Sequence, residues 1–421
     1  MTSLDFKAFP AHAPRASQKQ PIPKRARLLL RLLKGIKVGH LSIYPPGRLP
    51  SDEPLQFGVL AVDQPEARIY LNNWTALEAS IKNGDVGLAQ SWIDGDWDSP
   101  DLTNVLSLAI ANRDVIDQAV YGSWQGRLFS RLKHLLHRNT KRGAARNIHA
   151  HYDLGNEFYG LWLDPTMTYS SALFDGANSP SKDLVQGQVR KYQRMIDALA
   201  LKPHAKVLEI GSGWGGFAEL AALQGFHVKG ITLSKEQLLY AQHRVLASDQ
   251  ADRAAFALQD YRDEVGRYDG IASIEMFEAV GEEYWPLFFQ TLKRCLKPGG
   301  LALVQTITIR DDLFDRYRVG SDFIQQYIFP GGMLPSVQVF KALAAKQGLD
   351  IAETFSFGPD YAETLRQWRD KFMGKLDQVR DLGFDQAFIR TWEFYLSYCE
   401  AAFDRGNTSV VQFTLRHPAN S

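Results

Sequence analysis

The chain has 421 residues, 45% of them hydrophobic and 23% charged, which is enough apolar content for two globular domains and too much for a disordered protein. A formal net charge of +1 excludes a globally basic nucleic-acid binder, so any attraction to an anionic partner must come from local clusters. Two cysteines, Cys295 and Cys399, are too few for a disulfide framework or a zinc ribbon, no metal-ligand cluster is evident, and no run approaches the roughly 18 apolar residues of a spanning helix. The expected location is therefore the cytoplasm, with membrane touched only at its inner surface.

Residues 1–23 mix Pro, Ala, Ser and Lys without apolar periodicity and read as a flexible leader. Lys24 to Lys37, KRARLLLRLLKGIK, holds six basic residues and no acid between leucines. It reads either as a basic interfacial helix or as an amphipathic helix docked on its own domain. Residues 24–118 are expected to form an N-terminal, lipid-associated α+β domain. Within it are short strands at His40–Tyr44 and Ala67–Leu71, a helix at Trp74–Asn83, and the aromatic-acidic segment SWIDGDWDSPDL. Residues 119–150 read as a basic linker, since Ala119–Tyr152 contains Arg127, Arg131, Lys133, Arg138, Lys141, Arg142 and Arg146 without one Asp or Glu. It is either simply solvated or held to anionic headgroups, at about 1 kcal/mol per basic residue.

Residues 151–421 are expected to be the chemical domain. Strands at Lys206–Ile210, His227–Leu233, Ala255–Leu258, Tyr268–Ile274 and Leu301–Ile309 alternate with helices at Gly216–Gln224, Lys235–Ala247 and Glu283–Leu296. That alternation specifies an α/β fold with a doubly wound, mostly parallel Rossmann-like sheet. Val410–Arg416 is a last β-branched run able to close it.

The strongest local signal is VLEIGSGWGG, Val207 to Gly216, a buried strand running into a glycine turn and a helix. Gly211, Gly213, Trp214 and Gly215 are expected against a ligand, because glycine lets backbone approach where a Cβ would collide. The spacing G-x-G-x-G-G departs from the dinucleotide fingerprint and favours S-adenosylmethionine over a nicotinamide cofactor. Glu209 suits the ligand's amino end. Thr232, Ser234 and Gln237 are candidate ribose contacts, and Asp260 and Tyr261 candidate adenine contacts.

Three further segments decide the reading: HYDLGNEFYGLWLDPTMTYSSALF (His151–Phe174), EMFEAVG (Glu275–Gly281) and YIFPGGMLPS (Tyr327–Ser336). With the glycine turn, they closely resemble the cyclopropane-fatty-acyl-phospholipid synthases and related mycolic acid methyltransferases, over about residues 145–416 and more weakly in the N-terminal domain. The resemblance implies transfer of a one-carbon unit from S-adenosylmethionine to the double bond of an unsaturated acyl chain in membrane phospholipid, giving a cyclopropane fatty acid. A methylene or methyl branch is the alternative product. A lipid-binding protein with a vestigial methyltransferase fold, or a small-molecule N- or O-methyltransferase, is the competing class. Unsaturated phospholipid is the expected partner, nucleic acid is not, and a homodimer is left open.

Methylating an alkene leaves a carbocation, which aromatic faces stabilise without trapping it. Phe158, Tyr159, Trp162, Tyr169, Phe174, Phe277, Tyr327, Phe329 and Trp368 are available, although most large aromatics are ordinary core. In the enzymes this chain resembles, a bicarbonate ion then removes a proton. By resemblance, Glu278, Tyr361 and the backbone of Ile307 match its ligands, while Ser171 stands in place of the usual Cys and Gln305 in place of the usual His. Both replacements keep hydrogen-bonding capacity, so the ion is the expected base. Glu275 is an additional acid, read either as a solvated strand-end charge or as a protein-supplied base. Cys399 falls at the cysteine long suspected as a nucleophile in this family, but it reads better as a buried helix cysteine. Tyr169 and Ser170 are expected to touch the cofactor, and His151, Tyr152 and Asp153 to pin the segment that covers it.

Overall fold

The computed structural model describes residues 21–47, 52–120, 154–174 and 182–419. The basic run Ala119–Tyr152, the leader up to residue 20, and His151, Tyr152 and Asp153 lie outside or almost wholly outside the described residues. The chain divides into two compact units, Met1–Trp124 and Gln125–Ser421.

In the first unit, α1 (Lys24–Leu32) is shorter than its basic run, which leaves the helix through a 3₁₀ turn at Leu33–Gly35. Four strands follow in the order β2-β1-β3-β4: β1 (His40–Tyr44), β2 (Leu55–Gly58), β3 (Glu66–Leu71) and β4 (Trp97–Asp98). β1 pairs antiparallel with β2 and parallel with β3. The helix expected at Trp74–Asn83 extends as α2 (Thr75–Ile93) through a kink at Gly84, whose φ of 63° only glycine adopts at little cost. The aromatic-acidic segment is structural. Trp92 and Trp97 pack edge to face at 4.9 Å, the Trp97 indole donates to Ser91 Oγ at 3.0 Å, and Asp101 caps α3 (Leu102–Ala111) by accepting from Asn104 N. α4 (Arg113–Val120) ends the described part of this unit.

The second unit opens with α5 (Asn156–Trp162) and α6 (Leu184–Ala198). The chain then alternates through β5 (Lys206–Ile210), α7 (Gly216–Leu223), β6 (His227–Thr232), α8 (Lys235–Ala247), β7 (Ala254–Leu258), β8 (Tyr268–Ile274), α9 (Trp285–Cys295) and β9 (Leu296–Ile309). After α10 (Asp311–Val319) and α11 (Val337–Lys346) come β10 (Asp350–Ser356), α12 (Gly358–Met373), α13 (Leu376–Asp381), α14 (Gln386–Asp404) and β11 (Thr408–Arg416). The seven strands lie in the order β10-β11-β9-β8-β5-β6-β7. All are parallel except β11, which runs antiparallel between β9 and β10.

Side chains alternate across β5, so Leu208 and Ile210 join the aromatic layer of Trp285, Phe288, Phe340 and Phe413 while Val207 joins Met195, Ile196 and Phe217 on the other face. The sheet is thus covered on both sides. The strand order reverses between β5 and β8, which opens a crevice beyond their carboxyl ends, the place where such sheets bind ligands.

Candidate active site

The glycine turn rims that crevice. Gly211, Gly213 and Gly215 have φ of 83°, 49° and 83°. A Cβ on Gly211 would come within 2.8 Å of Met276, and one on Gly215 within 2.9 Å of Ala241, so these two serve packing; a Cβ on Gly213 would meet no protein atom within 4 Å. Gly213 is therefore where a ligand can approach the backbone. Trp214 is buried and anchors α5 by donating from its indole to Asn156 Oδ1 at 2.8 Å.

Three buried oxygens around the turn have no protein partner among the described residues: Glu209 Oε2, Ser212 Oγ and the Tyr261 hydroxyl. Burial pushes the Glu209 carboxyl well above its usual range, opposed by the charges of Lys191 and Arg244. Such groups can take up a polar ligand, and an acid of this kind suits an amino end. Thr232 and Gln237 are buried beside them, with the Thr232 hydroxyl donating to Gln237 Oε1 at 3.1 Å. The residues present fit S-adenosylmethionine.

Two of the expected contacts differ. Ser234 is the N-cap of α8, its Oγ accepting from Gln237 N at 3.2 Å and donating to Glu236 at 3.1 Å, so helix capping rather than the ribose occupies its hydroxyl. Asp260, expected to accept from an adenine amine, is gripped at both oxygens by the Arg262 guanidinium, at 2.8 and 2.6 Å. Its neighbour Tyr261 packs edge to face against Phe288 at 5.6 Å.

The largest departure concerns the base. Ser171 N–H donates to Glu275 Oε1 at 2.9 Å, Gln305 Nε2 donates to the same oxygen at 2.8 Å, and the Tyr361 hydroxyl donates to Glu275 Oε2 at 2.6 Å. Three groups expected around a bicarbonate ion enclose a carboxylate of the chain itself. Glu275 is therefore no solvated strand-end charge. It follows β8 directly with φ 48°, a left-handed conformation costing a non-glycine residue about 1–3 kcal/mol, and its N–H donates to Gln305 O at 2.8 Å. Burial raises its pKa, against the pull of the Tyr361 hydrogen bond, the Lys191 charge and the Ser171 and Gln305 donors. The Ser171 hydroxyl turns away to its own neighbour's carbonyl, Ala172 O, at 2.9 Å.

Glu278 lies one short turn later, in a 3₁₀ turn at Phe277–Ala279. Its Oε1 accepts from Thr306 Oγ1 at 2.9 Å and from Ile307 N–H, while Oε2 is buried without a partner among the described residues. Ile307 thus contributes its backbone, but to Glu278 rather than to an ion. Burial first, and the Glu275 charge second, push the Glu278 carboxyl up to about 8. Each carboxyl therefore opposes ionisation of the other, and Glu278 keeps its proton at neutral pH.

Sequence reasoning missed a clamp beneath this site. Gln188 and Lys191 sit three residues apart on one face of α6, and both are fully buried. Lys191 Nζ donates to Ser170 Oγ at 2.5 Å and to Gln188 Oε1 at 2.7 Å, and Gln188 Nε2 donates to Ser170 O at 2.9 Å. Burial lowers the Lys191 pKa to about 7, although Glu275, Asp164 and Glu209 draw it up. The clamp fixes Ser170, and with it the Ser171 N–H that meets Glu275. The available signal was a lysine facing the apolar side of an amphipathic helix. A second support is Gln412 on β11, whose Nε2 donates to Gln305 Oε1 at 2.9 Å and so aims the Gln305 amide at Glu275.

Most of the aromatics are core. Phe158, Tyr159, Trp162 and Trp368 are fully buried in edge-to-face contacts, and Phe277 stacks on Trp285. Tyr169 is partly exposed over this layer, 5.4 Å from Trp368, and its hydroxyl meets that of Tyr395 at 2.6 Å. Cys399 lies in α14, and burial raises its thiol, leaving it a poor nucleophile. Among the described residues no His, Cys, Asp and Glu cluster could hold a metal ion.

Comparison with known proteins identifies the family. Residues 139–413 match the family described as mycolic acid cyclopropane synthetase. The chain is 38% identical over 362 residues to tuberculostearic acid methyltransferase UfaA1 of Mycobacterium tuberculosis, covering 84% of each. It is 32% identical over 338 residues to the cyclopropane-fatty-acyl-phospholipid synthase of Escherichia coli, covering 80% of this chain and 84% of that protein. The mycolic acid cyclopropane synthase CmaA1, solved with SAH and CTAB, superposes with a TM-score of 0.60 at 32% identity, over 64% of this chain and 97% of its own.

Proposed function

The chain belongs to the mycolic acid cyclopropane synthetase family and is an S-adenosylmethionine-dependent C-methyltransferase, and from that premise we propose that it methylates the double bond of an unsaturated phospholipid acyl chain with Glu275 as the base. The observation that carries the proposal is the enclosure of the Glu275 carboxylate by Ser171, Gln305 and Tyr361. A lipid-binding protein would have no use for a strained, half-buried, hydrogen-bonded carboxylate beside the cofactor crevice.

Bound S-adenosylmethionine supplies an electrophilic methyl group. The alkene carbon that accepts it leaves positive charge on its neighbour, where the aromatic faces of Tyr169, Tyr361 and Tyr395 stabilise it. The hydroxyls of these tyrosines are tied to one another or to Glu275, which keeps them from capturing the cation. Glu275 accepts a proton from the added methyl group, and the freed C–H electron pair forms the last bond. If the proton leaves at once, that bond closes a cyclopropane. If a hydride first migrates from the methylated carbon to its neighbour, the charge becomes tertiary and the same deprotonation gives a methylene branch.

We favour the methylene branch. The similarity to UfaA1, a tuberculostearic acid methyltransferase, supports this product, and the similarity to the E. coli cyclopropane synthase supports the cyclopropane as a second reading. Both products add one CH₂, so mass alone does not separate them. Proton NMR of the acyl esters from cells expressing the chain does, by vinylidene or by ring resonances. Detection of neither product, with cofactor binding intact, would overturn the proposal.

A further inference from the structure

We propose that the turn Val59–Val62, together with the basic outer face of α1, is an insertion element that docks the N-terminal unit on an anionic phospholipid bilayer. The proposal rests on the phospholipid reading above and deepens it by assigning the surface that meets the lipid.

Val59, Leu60 and Val62 are 75%, 64% and 89% exposed, with exposed Ala61 between them. Single exposed apolar residues are ordinary, but no other four-residue stretch among the described residues carries three large ones. The tip is held firmly at its base. Val59 N–H donates to Gly39 O at 3.1 Å, Gly39 N–H donates to Gln64 Oε1 at 2.7 Å, and His40 N–H donates to Pro65 O at 3.0 Å. Gln64 N–H closes a turn on Ala61 O at 3.4 Å, with Asp63 at φ 61°. A Cβ on Gly58 would lie 2.2 Å from Gly39 O, so the two chain segments touch through glycine.

That contact joins the apolar tip to the end of the basic run. Ala26, Leu29, Leu33 and Ile36 face inward, while Lys24, Arg25, Arg27, Arg31, Lys34 and Lys37 are exposed with Leu28 among them. The run holds no acid. Near the tip the acids are Asp63 and Glu66, and Glu66 is paired with Arg68 at 2.9 Å. Apolar side chains beside a basic face match an acyl boundary beneath anionic headgroups. A second copy of the chain fits poorly, since a two-fold contact through this surface would set the basic faces against each other.

The test uses the full-length chain and vesicles of phosphatidylcholine with or without phosphatidylglycerol. Leu60→Trp should gain fluorescence quenching by brominated lipid over that of the native tryptophans, only when phosphatidylglycerol is present. The triple variant Val59→Asp/Leu60→Asp/Val62→Asp should partition about tenfold or more weakly with unchanged circular dichroism. Arg25→Glu/Arg31→Glu/Lys34→Glu should abolish the dependence on phosphatidylglycerol. No added quenching at saturating vesicle, or unchanged binding of the triple Asp variant, would overturn the proposal. So would a shift from dimer to monomer in sedimentation with vesicle binding intact, which would make the tip a contact between copies. Turnover of detergent-dispersed unsaturated phospholipid is measured in parallel. Its absence alongside normal vesicle docking refutes the proposed reaction and leaves the docking surface standing.

Discussion

The Tyr361 hydroxyl, from the first turn of α12, donates at 2.6 Å to the carboxylate of Glu275, which begins the segment after β8. The contact joins the helix following the edge strand to the centre of the sheet, and it stabilises the charged form of the carboxylate. Tyr361→Phe should therefore raise the Glu275 pKa and move the acid limb of the kcat profile to higher pH. Losing one hydrogen bond to a charged group, about 1.5 kcal/mol, should lower kcat roughly tenfold at its optimum. An unmoved acid limb would show that Glu275 does not set it.

Replacing the base itself is the sharper intervention. Glu275→Gln should reduce kcat by about 10²–10⁴ while calorimetry finds S-adenosylmethionine affinity nearly unchanged. Removing dissolved carbonate should leave the wild-type rate as it is. A rate that falls without carbonate and recovers on its return would restore the ion to the role we give Glu275.

Glu278 predicts an unusual pH dependence of stability. Its folded pKa, about 8, lies above the ordinary carboxylate value, so between those two values the folded state holds a proton that the unfolded state has lost. Stability from this group is greatest at low pH and declines as pH rises from about 4.5 to 8. Glu278→Gln should abolish that slope, so urea midpoints of variant and wild type should separate in the variant's favour between pH 6 and pH 9. A constant difference would place the proton elsewhere.

Lys191 acts through other residues. Lys191→Met keeps most of the volume but removes the cation that favours ionised Glu275, so the acid limb should move up and kcat fall while KM changes little. Unpairing Ser170 Oγ and Gln188 Oε1 should cost at most about 3 kcal/mol of stability, because a buried charge is relieved at the same time. A loss of stability with an unaltered pH profile would reduce the clamp to a structural role.

At Gly213 the predicted effect is on the cofactor. A Cβ at Gly213 meets no protein atom within 4 Å, so in Gly213→Val the branches are expected to enter the crevice, while the φ of 49° costs about 1–2 kcal/mol. Titration calorimetry should find S-adenosylmethionine binding lost in a folded variant. Retained affinity would move the cofactor away from this turn.

Strand and helix alternation, the glycine turn and the positions of Glu278 and Tyr361 could be read from the chain because each depends on local pattern or on motif. What could not be read was direction. Ser234 as ligand contact or helix cap, and Asp260 as adenine acceptor or partner of Arg262, are equivalent in sequence, since either donor or acceptor fits both roles. Glu275 was the instructive case. A surplus acid beside Glu278 was visible, but only the left-handed turn after β8 shows that it swings into the cradle. Lys191 was hidden by composition, because a lysine in an amphipathic helix normally faces water, and β10, an edge strand with mostly exposed side chains, offers no apolar run to read.

The insertion of β11 between β9 and β10 has a consequence for biosynthesis. Gln412 reaches Gln305 across 107 positions of sequence, so the amide facing Glu275 has no support until the ribosome has made the last strand. At about 5–20 residues per second that is roughly 5–20 s after Gln305 emerges. During that interval β9 has an open flank and the nascent chain lacks a finished centre. A polypeptide truncated before β11 would carry the glycine turn and still lack the contact that aims the Gln305 amide at Glu275.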